Sequence, residues 1–312
     1  MTAAAEHYSA TKHFLSRIKS MKNTVVALGF FDGVHLGHKR IFETTVALAR
    51  ENGFISAACT FDTHPRAFVH GIAPGMLCSL ERRIELIKAE GIERVEVLHF
   101  DEKMANMEPC DFVELLKNEY GCKIGVCGNN FRFGKKAQGT PDTLSQFGVE
   151  AKVCEFVTED GQNVSSSRIR KLLTEGNAKK AAELLGRPYT LSGKVVDGFK
   201  LGRQMGRPTM NLKPDNGLLI PQNGVYASRV AIDGNVYDSI TNIGTRPTFS
   251  SDDVISVETH ILDFSDMIYG KQVDLMIIDK VRDEKTYGDY SELIAQINTD
   301  IEKTQQILKG MK

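Results

Sequence analysis

The sequence predicts an α/β domain with a parallel sheet, followed by an antiparallel β-barrel or sandwich that ends in a helix. Through the first half, short apolar strand patterns alternate with helical patterns, which is typical of βαβ units. After Pro188, short strand patterns separated by turn residues replace this alternation, and a helical pattern returns only near Ser291. The length of 312 residues fits two domains, which we place at 1–186 and 187–312 because Gly186-Arg187-Pro188 interrupts the last helical pattern.

The first domain contains five predicted strands that alternate with helices. The strands cover 24–30, 55–61, 95–100, 123–127 and 149–157. The helices cover 38–50, 79–89, 111–120, 167–174 and 178–185. Gly53, Gly91 and Gly121 follow the first three helices, where glycine readily adopts the left-handed conformation that ends a helix. Apolar strands between helical segments indicate a parallel sheet that is covered on both faces.

The second domain is predicted to consist mainly of strands. They cover 189–196, 224–232, 235–242, 254–262 and 273–278. Asp233-Gly234 joins two of these strands as a tight hairpin, because both residue types tolerate a positive φ. The final helix covers 291–308, and its apolar positions form one stripe made of Leu293, Ile294, Ile297, Ile301 and Ile307.

The composition argues against several classes of partner. The 39 Lys and Arg residues nearly balance the 40 Asp and Glu residues, so bulk charge gives no case for nucleic acid or an anionic membrane. No apolar run approaches the roughly 20 residues of a membrane span, and the first residues lack a secretory pattern. The six cysteines form no CxxC pair or zinc-like spacing, which predicts reduced, mostly buried thiols in a cytoplasmic protein. The sequence gives no sign of oligomeric state.

The segment GFFDGVHLGH (29–38) lies where the first predicted strand ends and the first long helix begins. A helix N-terminus presents unpaired backbone N–H groups to a phosphate, and Gly37 lets the backbone approach closely. His35 and His38 can donate hydrogen bonds to phosphoryl oxygens as negative charge builds up. The pattern predicts a nucleotide phosphate site with these two histidines as catalytic residues. The alternative is a glycine-rich turn with two solvent-exposed histidines.

Two further segments could complete this site. In VSSSRIRKLL (164–173), three serines and two arginines at the start of a helix suit a polyphosphate, although serines there also serve as ordinary helix caps. CGNNFRFGKKAQGT (127–140) follows the fourth predicted strand, at the sheet edge where open α/β folds bind ligands. Phe131 and Phe133 could contact a planar ring, and the two lysines that follow could contact phosphate. Core packing of both aromatic residues is equally consistent with the pattern.

These motifs resemble the HxGH nucleotidyltransferases, which share a Rossmann-like core with class I aminoacyl-tRNA synthetases. More closely, they resemble the FMN adenylyltransferase module of bacterial bifunctional riboflavin kinase/FAD synthetases, and the resemblance spans both domains in order. It implies that ATP is bound by Gly29, Phe30, Asp32, Gly33, Gly37, Ser165, Ser166, Ser167 and Arg170. It also implies a loop for flavin or nucleotide that includes His64, Asn130 and Phe131.

The second domain contains LGRQMGRPTMNL (201–212), a glycine-rich, basic loop that could fold over nucleotide phosphates through its backbone amides. The Thr209 hydroxyl and the Asn211 amide oxygen share one face of an extended segment, and oxygen ligands of this kind suit Mg²⁺. Glu258, in the strand-like VETHIL, could accept the proton of a primary alcohol that attacks ATP. An ordinary exposed strand glutamate is the alternative.

This half resembles the riboflavin kinase module of the same family, whose GRxLGxPTxNL signature matches 202–212. The resemblance implies a closed Greek-key barrel followed by a helix, with Glu258 as the catalytic base and Thr209 and Asn211 as Mg²⁺ ligands. It implies contacts to ATP or flavin at Gly198, Gly202, Arg203, Gly206, Pro208, Tyr226 and Arg282.

We therefore expect a two-site enzyme that phosphorylates riboflavin to FMN with ATP, and adenylylates FMN to FAD with release of pyrophosphate. Its expected partners are the small molecules ATP, riboflavin and FMN, with Mg²⁺ as the metal. Two alternatives stay open at this point, a relative with one working site and a flavin-binding regulator that keeps the fold without catalysis. A nucleotidyltransferase acting on pantetheine phosphate or nicotinamide nucleotide fits the first half only.

Overall fold

The computed structural model describes residues 22–71, 73–197, 209–246 and 254–310. These residues form two compact units. The first comprises the described residues up to Ala73 together with Leu80–Asn163, and the second comprises Pro74–Ser79 and the described residues from Val164 onward. The boundary that we place between residues 186 and 187 remains a prediction, and the helices within 166–185 belong to the second unit in this structure.

The first unit is built on a five-stranded sheet in which every neighbouring pair is parallel. Its strands are β1 (Thr24–Leu28), β2 (Ile55–Phe61), β3 (Arg94–Leu98), β4 (Cys122–Gly128) and β5 (Glu150–Cys154). The order across the sheet is β3-β2-β1-β4-β5, so the chain builds one side of β1 first and then the other. The predicted parallel sheet is confirmed, and its order is Rossmann-like.

Helices connect these strands and cover both faces of the sheet. They are α1 (Leu36–Asn52), α2 (Pro65–His70), α3 (Leu80–Ala89), α4 (Glu102–Ala105), α5 (Pro109–Tyr120) and α6 (Pro141–Gln146). Successive residues of β1 enter different cores, since Val25 lies in one with Phe42 of α1 and Val26 lies in the other with Phe112 of α5. Burial on both faces explains why the central strands β1, β2 and β4 are largely apolar, whereas the edge strands β3 and β5 carry charged residues.

The predictions for this unit differ from the structure mainly at the ends of elements. β1 stops at Leu28, two residues before the predicted end, and the chain then turns at Phe31, which has a φ of 58°. β5 stops at Cys154, and a two-residue hairpin follows it, β6 (Thr158–Glu159) with β7 (Gln162–Asn163). The short helices α2, α4 and α6 are missing from the prediction. A proline at the start of α2 and of α6 is the sequence feature that could have predicted these two helices.

The second unit contains a closed six-stranded barrel in which all pairs are antiparallel. Its strands are β8 (Tyr189–Val196), β9 (Thr209–Pro214), β10 (Gly224–Ile232), β11 (Asn235–Arg246), β12 (Val254–Ile261) and β13 (Gln272–Arg282). They close in the order β10-β11-β12-β9-β8-β13. The helices α7 (Ser166–Thr174) and α8 (Ala178–Leu185) precede the barrel, and α9 (Tyr290–Lys309) follows it. The barrel, rather than the sandwich, is confirmed.

The barrel interior combines apolar side chains with a chain of hydrogen-bonded hydroxyl groups. Oγ of Ser228 lies 2.8 Å from Oγ of Ser239 and 2.7 Å from Oγ1 of Thr241, which lies 2.9 Å from Oγ1 of Thr259. All four side chains are fully buried. Because side chains alternate along a strand, the residues on either side of Thr241 and Thr259 point out of the barrel.

The C-terminal helix buries the predicted face, but the most buried positions of that face include polar residues. Its most buried residues are Asp300, Thr304 and Leu308, whereas the five apolar residues of the predicted stripe are only half-buried. An ion pair explains why Asp300 can be buried, since Nε of Arg282 on β13 donates to Oδ2 of Asp300 at 2.8 Å. A charge that is paired in this way can occupy the centre of a helix face, which a hydrophobic pattern does not anticipate.

The six cysteines, all within the described residues, form no disulfide, and all except the half-buried Cys110 are buried. Burial raises the pKa of Cys122 and of Cys127 to about 12, so their reactive thiolate forms are scarce at neutral pH. Among the described residues, no helix is both long and apolar enough to cross a membrane.

The hairpin at Asp233-Gly234 provides a test of the barrel. Asp233 has a φ of 50° and Gly234 one of 82°, and no atom lies within 4 Å of the position that a Cβ on Gly234 would take. Gly234→Ala should therefore destabilise the barrel through backbone strain alone, by about 1 kcal/mol. The measurement is the urea midpoint by circular dichroism. Gly288→Ala is the matched control, because Gly288 is equally open but has no positive φ, and equal midpoints would contradict the prediction.

Two candidate active sites

The first candidate site lies at the carboxyl edge of the parallel sheet. β1 pairs with β2 on one side and with β4 on the other, so the strand order reverses between β1 and β4. Open α/β sheets bind ligands in the crevice at such a reversal, outside the carboxyl ends of the strands. The loops that follow these two strands are 29–35 and 129–134, and both belong to the motifs singled out in the sequence.

The loop after β1 is tightly folded. A Cβ on Gly29 would lie 2.8 Å from Cε1 of Phe31, so the aromatic ring can pack there only against a glycine. Phe31 and Val34 have φ values of 58° and 42°, and Gly33 has one of 77°. Positive φ is unusual for a β-branched residue such as Val34, and strained residues of this kind cluster at functional sites. The buried Asp32 lies within the same turn.

His35 and His38 lie side by side at the start of α1. His35 occupies the N-cap position and is 5% exposed, and its carbonyl accepts the backbone N–H of His38 at 2.8 Å. The two imidazole rings are stacked, with centroids 3.6 Å apart and planes inclined by 20°, and Phe31 packs edge-on against His38. Neither histidine is exposed, so the alternative of two solvent-exposed side chains is wrong.

Phe30 and His64 are neighbours at the same sheet edge. Their ring centroids are 4.5 Å apart. His64 is the N-cap of α2, and its Nδ1 accepts the backbone N–H of Arg66 at 3.1 Å. The segment after β2 therefore meets the segment after β1 through an aromatic contact.

The loop after β4 divides into core and accessible residues. Asn130 is exposed and Phe131 is half-buried, whereas Phe133 is buried and packs on Phe112 at 5.1 Å. Phe131 stacks on Phe133, with ring centroids 5.5 Å apart. Of the two aromatic residues, only Phe131 keeps a surface for a ligand. Lys135, a candidate phosphate contact, is 2.9 Å from Glu108 and so already has a carboxylate partner.

A histidine–aspartate pair that the sequence analysis missed lies at the ends of β2 and β3. Nδ1 of His99 is 2.6 Å from Oδ2 of Asp62, and Oδ1 of Asp62 accepts the backbone N–H of Phe100. Burial acts to raise the pKa of Asp62, but these hydrogen bonds outweigh it and lower the pKa. The bond to Asp62 raises the pKa of His99. The sequence feature that could have revealed this pair is a titratable residue directly after each of two strands.

The serine-rich motif lies in the second unit. Oγ of Ser165 accepts the backbone N–H of Arg168 at 3.2 Å, so Ser165 is the N-cap of α7. Ser166 is half-buried and Ser167 is exposed. Nε of Arg170 donates to the carbonyl of Gly75 at 2.7 Å. Helix capping by Ser165 is thus observed, and a role of this motif in phosphate binding remains a prediction.

The second candidate site is a cavity of about 320 Å³ on the outer wall of the barrel, beside α9. It is lined by Thr209, Val225, Ile240, Asn242, Glu258, His260, Arg282, Glu284, Lys285, Tyr287, Leu293, Ile297 and Asp300. Thr209, Glu258 and Arg282 were singled out from the sequence. The cavity has an apolar side from Leu293 and Ile297 of α9 and a polar side from β9 and β12.

Strand register explains which residues meet in this cavity. Glu258 of β12 is directly opposite Asn211 of β9 and Asn242 of β11, and His260 is opposite Thr209. All five alternate with buried residues of the barrel interior, so they share its outer face. Asn211 itself does not line the cavity. Asn242 and His260 were missed, although His260 lies two positions after Glu258, where the period of a strand returns to the same face.

Arg282 and Tyr226 have different surroundings. Arg282 lines the cavity and is held by Asp300, whose Oδ1 accepts from Nε2 of Gln296 at 2.8 Å. Tyr226 is fully buried and donates to the carbonyl of Gln222, and burial raises its pKa to about 12. A ligand contact of Tyr226 remains a prediction. Five other predicted kinase residues lie outside the described residues, namely Gly198, Gly202, Arg203, Gly206 and Pro208.

Comparison with known families divides the chain in the same order. The FAD synthetase family model matches residues 17–168, and the riboflavin kinase family model matches residues 185–308. A crystal structure of a macrolide-efflux protein from Streptococcus pneumoniae matches with a TM-score of 0.86 at 30% identity, covering 92% of this chain and 96% of that one. The likeness to a solved structure therefore extends over both folded units.

Curated relatives cover nearly the whole chain. The bifunctional riboflavin kinase/FMN adenylyltransferase of Bacillus subtilis is 33% identical over 309 residues, which is 96% of this chain and 97% of that protein. The protein of the same description from Listeria monocytogenes is 33% identical over 91% of this chain and 92% of its own length. The chain therefore belongs to the bifunctional riboflavin kinase/FMN adenylyltransferase family, and it is an enzyme with both activities, which converts riboflavin to FMN and FMN to FAD with ATP.

Proposed function

We propose that riboflavin is phosphorylated in the cavity on the outer wall of the barrel, with Glu258 as the catalytic base. The observation that supports this most directly is the cross-strand row Asn242, Glu258 and Asn211, with Thr209 on the same face. A half-buried carboxylate at the polar side of a cavity can accept the proton of the riboflavin primary hydroxyl as that oxygen attacks the γ-phosphate of ATP. ADP is the leaving product.

The shape of the cavity suits the flavin. Its apolar residues, which include Ile240, Leu293 and Ile297, would cover the flat ring system, while the hydroxyl-bearing chain would extend toward Glu258. A cavity of about 320 Å³ lies at the lower end of the size range typical of small-molecule sites. Arg282, held by Asp300, would donate hydrogen bonds to phosphate.

Thr209 and Asn211 would hold Mg²⁺ in this proposal. The described residues contain no group of three or more His, Cys, Asp or Glu side chains that could hold a metal ion, so the site offers no carboxylate cage. A hydroxyl and an amide oxygen fit Mg²⁺, because this ion usually keeps phosphate oxygens and water in its shell. When bound, Mg²⁺ would neutralise charge on the transferred phosphoryl group.

We propose that FMN is adenylylated at the carboxyl edge of the parallel sheet. The stacked His35 and His38 at the start of α1 would donate hydrogen bonds to the α-phosphate of ATP as an FMN phosphate oxygen attacks it and pyrophosphate leaves. The N-terminal amides of α1, next to Gly37, would stabilise the same charge. Phe30, His64, Asn130 and Phe131 would position the flavin or the nucleotide.

The remaining proposals concern the setting of the enzyme. We propose a cytoplasmic location and a set of partners that is restricted to small molecules, without nucleic acid or membrane. The net charge of -1 and the lack of a disulfide among the six cysteines, all of which the structure describes, support this. The roles that the resemblance assigns to Ser165, Ser166, Ser167 and Arg170 on the β- and γ-phosphates also stay proposals.

Chromatography of the products tests the two-site assignment on the unmodified chain. The pure protein is incubated with MgATP and either riboflavin or FMN, and the flavins are separated. FMN from the first incubation and FAD from the second are expected. FMN without FAD would contradict a working site at the sheet edge, and no product from either substrate would contradict both sites.

Replacement of one histidine should separate the two activities. His35→Ala removes a donor from the α-phosphate and should lower the rate of FAD formation by about 100- to 1,000-fold. Phosphorylation of riboflavin by the same preparation should stay within twofold and controls for folding. Retention of FAD formation in this variant would show that the histidine pair is not the catalytic group.

Replacement of the proposed base should have the reverse effect. Glu258→Gln keeps the size of the side chain but cannot accept the proton, so kcat for riboflavin phosphorylation should fall by about 100- to 10,000-fold. The rate of FAD formation from added FMN should not change. A kinase rate within threefold of the unmodified enzyme would exclude Glu258 as the base.

The ion pair between Arg282 and Asp300 should support the kinase site. Asp300→Asn leaves the guanidinium of Arg282 without a carboxylate partner and should destabilise the barrel by up to about 3 kcal/mol. We expect kinase activity to be lost at a lower temperature in heat-inactivation assays. Glu302→Gln on the same helix is the control, because Glu302 is exposed. Equal inactivation temperatures for the two variants would disprove the effect.

A further inference from the structure

Arg83 of α3 is a buried cation whose presence the activities described above do not explain. Its side chain is 1% exposed, which makes it one of the largest fully buried side chains of the protein. Within the described part of the chain, no carboxylate forms an ion pair with it. Burial of an arginine without a counter-charge costs free energy, and buried charges in proteins are almost always paired. The surroundings of Arg83 must therefore offset this cost in another way.

The contacts of Arg83 join the ends of two strands. Nη1 lies 2.8 Å from the carbonyl oxygen of Phe61, 3.1 Å from Oγ1 of Thr60 and 3.2 Å from the carbonyl oxygen of Phe30. Oγ1 of Thr60 also donates to the carbonyl of Phe30 at 2.7 Å. Phe61 ends β2, and Phe30 lies two residues after the end of β1. One guanidinium thus fixes the backbone at the carboxyl ends of both strands.

Arg83 also holds the ring of Phe30. The central carbon of its guanidinium lies 4.1 Å from the centroid of that ring, a cation–π distance. The same ring packs against His64. Backbone and side chain of Phe30 are therefore both fixed by Arg83, and His64 is fixed through Phe30. Phe30 is also the residue from which the strained turn to His35 begins.

We propose that Arg83 is a positioning residue for the adenylylation of FMN, and this inference rests on the site proposed above at the sheet edge. It acts through Phe30, which sets the start of the loop 29–35, and through His64. An arginine stays charged at all physiological pH values. Because no carboxylate in the described residues neutralises it, its charge also favours the phosphate-bearing substrates that this site must bind.

Two substitutions separate these contributions. Arg83→Met keeps most of the apolar stem but removes both the charge and the hydrogen bonds. Arg83→Lys keeps the charge but loses the flat guanidinium that stacks on Phe30. Arg94→Met is the control, because Arg94 begins β3 at the opposite edge of the sheet and has a carboxylate partner, Glu96, at 2.6 Å.

The experiment measures kcat and KM for FAD formation, with riboflavin phosphorylation by the same preparation as the folding control. Arg83→Met should lower kcat by about tenfold to 100-fold, the scale expected when a catalytic group is displaced by about 1 Å. Arg83→Lys should recover part of this kcat. The kinase rate should not change in either variant, and Arg94→Met should stay within twofold for both reactions.

An unchanged kcat for FAD formation in Arg83→Met, with a loss of heat stability only, would overturn the inference and leave Arg83 as a core residue. If Arg83→Met also loses kinase activity because it does not fold, Arg83→Lys decides, and full kcat in that variant overturns the inference. His35→Ala, measured in parallel, distinguishes a failure of the proposed site from a failure of the positioning role. Persistent FAD formation in His35→Ala refutes the proposed site, whereas its loss together with an unchanged Arg83→Met refutes the positioning role alone.

Discussion

Alternation of side chains along a strand decides, in both units, which residues form a core and which can meet a ligand. In the barrel, Val257, Thr259 and Ile261 of β12 are buried and face inward, while Glu258 and His260 between them face out. In the parallel sheet both faces are buried, so no side chain within β1 is available to a substrate. Chemistry there has to come from residues beyond the strand ends, and for this reason the first site is made of loops.

Each unit buries polar groups, and the partners of these groups offset the free-energy cost of removing them from water. The hydroxyls of Ser228, Thr241 and Thr259 satisfy one another inside the barrel, with no charge involved. Asp300 is buried against Arg282, where the carboxylate and the guanidinium compensate each other. Arg83 differs from both, since neutral oxygens and an aromatic ring are its only partners in the described structure. A group left with net charge in this way exerts its field on whatever binds nearby.

Much of the fold could be predicted from the sequence, and the failures have a common cause. Strands at 55–61, 189–196 and 224–232 match their predicted bounds, because apolar, β-branched runs there stop at turn residues. β9 was absent from the predicted strands because its outward residues are polar, although Thr209 and Asn211 were already assigned to an extended segment. The predicted stripe of α9 omitted Asp300, which is buried on the same face because it pairs with Arg282, eighteen positions away. Motifs with a local pattern, such as His35 and His38, were visible.

Contacts between distant parts of the chain could not be predicted. Asp62 and His99 are 37 positions apart, and Arg83 is 53 positions from Phe30. Nothing local distinguishes Arg83 from Arg82, since both lie on one amphipathic helix. Only the packing of α3 shows that Arg83 points into the sheet edge while Arg82 pairs with Glu85 at the surface. Residues that position a site are therefore harder to find from sequence than residues that touch the substrate.

The two sites need different catalytic groups because their nucleophiles differ in reactivity. The primary hydroxyl of riboflavin is a weak nucleophile at neutral pH, so the kinase needs a base, and a carboxylate lies on the outer wall of its barrel. FMN brings a phosphate that is already ionised, so adenylylation needs no base. It needs positive or hydrogen-bond-donating groups around the α-phosphate, and in the proposed site at the sheet edge the imidazoles and helix amides would be these donors. FMN, the product of the first reaction, therefore carries the ionised phosphate that makes a base unnecessary in the second reaction.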